Sequence, residues 1–468
     1  MSISRRTILQ AAGMGVGLGA TAAGWAFHND GLALVQPSYG DIKGIDILGY
    51  SDLRLPRAAR EAGWDQVYDF RVIDTPNGRF AYCPNGAKGW SIVDVSNPRR
   101  MHVVNRHPHS TTPDNTQYLD IKTGAVLVIK RNKSLENWDV RNPAAPVLLG
   151  AYSPPDIGSR SFHGLWVHED HRGRFAFAAC GIDGFTDMIL LCVDITDPRH
   201  PRERGRWWYP GMKIGSETPT WPAVGITVQC HDLTTYGDRA YVAWRDKGLI
   251  ILDISNLDQL RKVGEINWAD GLPRNGIAFP SLPGQTHSFG IVVPKHRGRV
   301  ETVVATDELG QCPFGFMHFI DVRNEARPTE ISQFRLPLNM HGNCPADRPG
   351  GRMGIHDVER MIRGKIVWSA WEEGGFWGVD FSDIHYPKQV AYYVPPVRSD
   401  STRLSGHADD VFVMDDGIVF GSSSDIGAGG LWAMRYDKGE RGTVAWNNDE
   451  SGVVVTRAHP GHGRDEED

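Results

Sequence analysis

An all-β fold is predicted: a β-propeller of seven four-stranded blades, its ring closed by an N-terminal strand. Three features of the sequence predict it. One short phrase recurs seven times along the chain. Tight-turn residues punctuate the segments between its copies. After about residue 65, no long stretch combines helical periodicity with good caps.

The phrase is two or three apolar residues, Asp, an apolar residue, Ser/Thr/Arg and Asn/Asp, often followed by Pro. It runs Ile92-Val93-Asp94-Val95-Ser96-Asn97-Pro98, then Trp138-Asp139-Val140-Arg141-Asn142-Pro143 and Val193-Asp194-Ile195-Thr196-Asp197-Pro198. It returns as Leu252-Asp253-Ile254-Ser255-Asn256, Ile320-Asp321-Val322-Arg323-Asn324 and Val379-Asp380-Phe381-Ser382-Asp383. A degenerate last copy is Leu431-Trp432-Ala433-Met434-Arg435-Tyr436-Asp437. The spacing of roughly 45 to 70 residues is that of a propeller blade with insertions.

Each copy makes sense as a third strand ending in a turn, because Asn/Asp-Pro initiates turns. A fourth, outer strand follows, such as the one starting at Met101 or at Gln389. Two strands joined at Asn77-Gly78, Lys122-Thr123-Gly124, Tyr236-Gly237-Asp238 or Asp415-Asp416-Gly417 precede it. Little after the seventh copy reads as a fourth strand. The strand-like run Ile42-Lys43-Gly44-Ile45-Asp46-Ile47-Leu48 is expected to supply it and remove the open edges. Composition agrees. The chain has 468 residues with 53 Gly, 29 Pro and 15 Trp. It is too long for one ordinary compact core, a limit that stacked repeats escape.

The phrase resembles the LVIVD repeat over nearly the whole chain after about residue 65. That resemblance implies a propeller and no particular reaction. The organisation expected is a signal segment at 1–26, a segment carrying the closing strand at 27–65, the propeller at 66–440 and a tail at 441–468.

Ser4-Arg5-Arg6-Thr7-Ile8-Leu9 precedes an apolar run rich in Gly and Ala. It resembles a twin-arginine export signal, with Ile8 where Phe is commoner and Gln10 where Lys is commoner. Gly13, Gly15, Gly17, Gly19 and Gly24 make the run a poor permanent membrane span, and Ala20-Thr21-Ala22 offers a cleavage site. The resemblance implies a bacterial protein exported to the periplasm, with the twin-arginine machinery as a partner. That route carries folded cargo, so a cofactor can be loaded before export. A net charge of −6 without a basic stripe speaks against nucleic acid. Six scattered cysteines include no CxxC pair, and disulfides or buried thiols both remain open.

Aligning the blades on the phrase puts a histidine at the start of five successive innermost strands: His163, His231, His287, His356 and His407. Blades one and two have Tyr68-Asp69 and Asn115-Thr116-Gln117 nearby instead. Innermost strands line the central channel, so these histidines are expected to form one ring around the axis. Neutral imidazoles without thiolates suit Cu or Fe, with Zn or Mn also possible. Packed imidazoles need either a cation or depressed pKa values. Three or four are expected to hold the ion, the rest orienting those ligands or contacting the substrate. The opposing reading is a repeated structural histidine that bonds the next blade.

The loops between second and third strands open on the same face. They carry Lys130-Arg131, Arg245-Asp246, Asp307-Glu308 and Glu372-Glu373. Asp307, Glu308, Glu372 and Arg245 are therefore the candidate catalytic groups, as acids, bases or substrate contacts. Long connections on that face hold Trp207-Trp208-Tyr209 and Trp221, the 268–279 segment, His341-Gly342-Asn343-Cys344 and Tyr392-Tyr393. They are expected to form a pocket for a small organic, apolar or aromatic substrate.

The ligand pattern is similar to that of the selenium-binding protein and methanethiol oxidase family, propellers with histidine-bound copper. It is similar in outline to carotenoid-cleaving oxygenases, where histidines on different blades hold iron. Neither family's sequence motif is matched along the chain, so the likeness is one of architecture and ligand type. It implies a metal-dependent oxidoreductase. A metal-dependent lyase or hydrolase and a non-catalytic binding or scaffold propeller are the alternatives.

Overall fold

Every copy of the repeated phrase but the last ends a strand by the same local chemistry. The aspartate closes the third strand and its Oδ1 accepts the backbone N–H two residues on. The distances are 2.9 Å at Asp94–Ser96, 3.0 Å at Asp139–Arg141 and 3.0 Å at Asp194–Thr196. They are 2.9 Å at Asp253–Ser255, 2.9 Å at Asp321–Arg323 and 2.7 Å at Asp380–Ser382. The Asn/Asp three residues later repeats the device, as from Asn97 to Arg99 and from Asp197 to Arg199. These side chains mimic a backbone turn, which is why short acids and amides recur there.

The protein is described by a computed structural model at residues 39–55, 61, 63–108, 116–122, 126–221, 226–267, 285–295, 298–309, 314–336, 353–396, 407–425, 429–446 and 453–457. The Arg5-Arg6 segment, Cys312, Cys344 and the 268–279 and 341–344 segments lie outside these residues. Among the described residues the strands form six sheets, four of them four-stranded, one of five strands and one of nine that spans two blades. Blade four is representative, with strands Asp232–Tyr236, Arg239–Ala243, Leu249–Asp253 and Arg261–Ile266. The third strand is almost wholly buried and the outer one largely half-exposed. The cores lie between blades. Phe177, Leu190 and Cys192 of blade three pack in one cluster with Leu233, Val242 and Ile250 of blade four.

Blades dock through a repeated close approach. A Cβ on Gly49, Gly205 or Gly264 of an outer strand would meet a carbonyl oxygen of the next blade's phrase turn at 2.0, 2.3 or 1.9 Å. The oxygens belong to Pro98, Leu257 and Glu325. Only glycine fits there.

The N-terminal strand closes the ring as expected. Asp41–Ser51 pairs antiparallel with Gly430–Trp446 and supplies the outer strand of blade seven. It also pairs at Ile42 and Lys43 with Lys388–Tyr393, which joins blades six and seven into one sheet. A bulge follows at Gly44, whose φ of +63 and 2.6 Å Cβ approach to the Val390 carbonyl exclude a side chain.

Blade six departs from the regular pattern. Its innermost strand is only Asp357–Val358, and Met361–Ile362 pairs in parallel with the innermost strand of blade five. The interruption puts Arg360 in the channel, where it meets three buried carboxylates. Four described cysteines, Cys83, Cys180, Cys192 and Cys230, are buried free thiols. Among the described residues, no helix is long and apolar enough to cross a membrane.

Candidate metal centre

Loops and inner strands of neighbouring blades build the channel mouth together. Thr286 N–H donates to the Arg245 carbonyl at 3.2 Å, and Ala408 N–H to the Glu372 carbonyl at 2.9 Å. Each loop between strands two and three thereby fixes the start of the next blade's innermost strand. Arg245 and Glu372 adopt φ of 42° and 34° to do so, a conformation that non-glycine residues adopt at a cost in strain.

The five histidines of the predicted ring line one cavity of about 320 Å³. Four form an unbroken arc, with ring centroids 4.3 Å apart for His163–His231, 4.2 Å for His231–His287 and 4.1 Å for His287–His356. His407 stands 6.3 Å from His356. Tyr118, 4.8 Å from His163, continues the arc into blade two. His231 Nδ1 lies 3.3 Å from the carbonyl oxygen of His287. A carbonyl can only accept, so Nδ1 carries the proton and Nε2 keeps the lone pair a metal needs.

Burial decides most protonation states here. It holds His163 and His231 well below the ordinary imidazole value, helped by Lys130 and Arg245 at His163 and by Arg245 at His231. Burial and then His356 push His287 down to about 4. His356 goes the other way. Burial opposes its charge, but the carboxylates of Asp409 and Asp357 hold it well above the usual range. Three neutral imidazoles stand beside one cation, so the arc avoids like-charge packing without a full set of depressed values.

The four candidate catalytic groups separate. Arg245 and Glu308 line the cavity, and Arg245 Nη1 donates to Glu308 Oε2 at 2.7 Å. The same Glu308 oxygen is 3.7 Å from His287 Nε2. Glu372 is fully buried, accepts the Gly354 N–H at 3.1 Å and has Oε1 3.9 Å from His407 Nε2. Asp307 is turned away from the cavity into blade five. It accepts from Thr286 Oγ1 at 3.0 Å and from His318 Nε2 at 2.8 Å. Glu330 holds the other nitrogen of His318 at 2.7 Å. All four strands of blade five are tied by this chain, which gives Asp307 a bracing position. No sequence pattern signals His318, which lies within the third strand of blade five, outside the repeated register.

Two segments, residues 77–107 and 229–267, match the LVIVD repeat. The repeat is matched at those two segments, in blades one and four. Among curated proteins no relative matches it. Solved structures that it resembles include U3-55K, at 10% identity and TM-score 0.52 over 84% of this chain and 98% of that one. The Sqt1 protein of Saccharomyces cerevisiae resembles it at 10% identity and TM-score 0.50, over 88% and 99% of the two chains. The WD40 repeats of RRP9 resemble it at 9% identity and TM-score 0.50, over 80% and 99%. At such identity these likenesses speak for the propeller fold alone.

Next to the propeller's histidine arc lies a layer of carboxylates. Asp69, Asp232, Asp357, Asp409 and Asp410 are all about fully buried, at 1% exposure or less. Arg360 bonds Asp69 at 3.2 Å, Asp357 at 2.6 Å and Asp232 at 2.5 Å. Arg71 bonds Asp120 and Asp410, each at 3.1 Å. Burial raises Asp232 and Asp409 to about 6 and, with Asp357, Asp410 to about 7, while Arg360 holds Asp357 well below the usual range. The layer separates the histidine cavity from a second one of about 670 Å³ lined by Trp166, Lys122 and Phe412. The histidine pattern did not reveal this layer, although its trace is visible as an acid after the register position in His231-Asp232, His356-Asp357 and Tyr68-Asp69.

Among the described residues, three groups could each hold a metal ion, their ligand atoms lying within 4.8 Å of one another. They are His231, His287 and Glu308; His287, His356 and Asp357; and Asp69, His356, Asp357 and Asp409. The donor chemistry fits a metal, since His163 Nδ1 and His287 Nδ1 are buried without a hydrogen-bond partner.

Proposed function

We propose that this propeller is an exported metalloenzyme, an oxidoreductase that acts on a small organic molecule at the histidine arc. The observation that carries the reading is the arc itself, four imidazoles from four blades with centroids 4.1 to 4.3 Å apart in one cavity. His231, His287 and Glu308 would hold the ion, with His163 beside them. Two neutral imidazoles and one carboxylate favour Fe or Cu over Mg or Ca, and such an ion would supply one-electron chemistry.

The chain's own groups have separable roles. Arg245, held in a strained turn at the cavity wall, orients an anionic or carbonyl oxygen of the substrate. Glu308, between Arg245 and His287, would anchor the ion and hold the Arg245 guanidinium in place. The described lining includes Gln66, Gln117, Ser424 and Asp425. A polar wall favours a substrate with several hydrogen-bonding groups over a purely apolar one. The Arg245–Glu308 pair also suits a lyase or hydrolase, in which Zn or Mn would act as a Lewis acid. Export rests on the twin-arginine motif at Arg5-Arg6.

The test is metal content and spectroscopy of the purified full chain, alongside His231→Ala and His287→Ala. A redox-active ion at about one per chain, lost in both variants without unfolding, supports the oxidoreductase. Zn or Mn in the same place supports the alternative. No ion after loading with Cu, Fe, Zn or Mn leaves a non-catalytic binding propeller.

A further inference from the structure

We infer that the channel holds a second divalent cation, in an oxygen-rich site made by Asp69, His356, Asp357 and Asp409. This rests on the metal-centre reading of the channel and extends it, since Asp69, Asp357 and Asp409 are outside the set that holds the first ion. The ligand atoms of the four residues lie within 4.8 Å of one another. His356 Nδ1 is 3.1 Å from Asp357 Oδ2 and 3.3 Å from Asp409 Oδ1.

Two independent observations point to a cation there. The first is orphaned donor atoms. Asp69 Oδ1 and Asp409 Oδ1 are buried without a hydrogen-bond partner, in side chains only 1% exposed. Leaving a carboxylate oxygen dry and unbonded is costly unless something else meets it. The second is the crowding of acids. Six carboxylates (Asp69, Asp120, Asp232, Asp357, Asp409 and Asp410) are buried in and beside this layer, and among the described residues the Lys and Arg side chains bonded to them are Arg71, Arg360 and Lys122. Arg71 and Arg360 are spent on Asp120, Asp410, Asp232, Asp357 and Asp69 Oδ2, and neither meets Asp409. A divalent ion there would meet both orphaned oxygens and offset the crowded carboxylates, with His356 Nδ1 giving up its 3.0 Å bond to the Asp409 carbonyl in order to ligate it.

Donor type separates the two sites. The first is dominated by imidazole nitrogen, which suits Cu or Fe. The second offers three carboxylates and one imidazole, the set for a harder ion such as Mn²⁺. The His287–His356 ring contact at 4.1 Å joins them, so the two ions would be neighbours.

The experiment uses the full chain, stripped with chelator, loaded with Cu²⁺ and dialysed against Mn²⁺. The expected result is one Cu²⁺ and one Mn²⁺ per chain. Asp69→Asn with Asp409→Asn should weaken Mn²⁺ at least 10-fold and leave Cu²⁺ in place, while His231→Ala with His287→Ala should do the reverse. Spin-echo spectra of the wild-type Mn²⁺ should show coupling to a single imidazole nitrogen, which decides the matter even where the double aspartate variant fails to fold. Absence of bound Mn²⁺ in the Cu²⁺-loaded protein overturns the second site, as does undiminished Mn²⁺ in the folded aspartate variant. Mn²⁺ bound without any Cu²⁺ would keep the second site and sink the first.

Discussion

Raising the pH through the alkaline range should weaken this fold at one identifiable point, the buried His318. Its imidazole is fully buried between Asp307 at 2.8 Å and Glu330 at 2.7 Å. Burial opposes its charge, but the two carboxylates outweigh burial and raise it from 6.5 to about 9. A raised folded value means that the proton binds the folded state more tightly. The stabilisation is therefore fully present below pH 6.5 and is lost as pH rises through about 9. The interval corresponds to about 3 kcal/mol. Urea melts of the full chain at pH 6.5, 8 and 9.5 should show that loss, with His318→Gln lying low and nearly flat across the series. Removing the cation leaves two acids facing each other, a cost of about 3–5 kcal/mol for a broken buried pair. A wild-type stability that runs parallel to the variant's across the whole series would refute the reasoning. The first candidate role for Asp307, as a catalytic acid, would then return.

Three other outcomes follow from the same geometry. Gly264→Ala drives a Cβ to 1.9 Å from the Glu325 carbonyl, so blades four and five must separate, at about 1–3 kcal/mol in chemical denaturation. Arg360→Met strips Asp69, Asp232 and Asp357 of their shared cation, and should destabilise by about 3–5 kcal/mol, less in the presence of Mn²⁺. Glu308→Gln keeps the size of the side chain but removes its charge, and should lower metal affinity by about 10–100-fold, read by competition with a chelator.

Much of this molecule is legible in its sequence because a repeat states the same local rule many times. The phrase ending in Asp and Asn/Asp fixes where each third strand stops, and the turn bonds at Asp94, Asp194 and Asp380 show the reason. Once the blades are in register, His163 to His407 must share a height, and they line one cavity. The closing strand is legible for a related reason, since a seventh blade without an outer strand leaves an edge that something must cover.

What escaped the reading is whatever breaks the repeat. Arg360 reaches the axis only because the innermost strand of blade six stops after Val358, and no periodicity announces an interruption of that kind. The pairing of His318 with Asp307 and Glu330 joins residues on three strands of one blade, a contact without a fixed spacing. Asp307 and Glu308 are adjacent in the chain, so they look equivalent as candidates. The alternation of a strand end turns one into the blade and the other to the cavity.

The central claim is that imidazoles from separate blades share one ion. Electron paramagnetic resonance of the full chain loaded with one equivalent of Cu²⁺ tests it most directly. The account predicts a spectrum with coupling to at least two imidazole nitrogens, collapsing in His231→Ala and His287→Ala while the melting profile stays cooperative. A Cu²⁺ signal of weak, carboxylate-only coordination, unchanged in both variants, would contradict it.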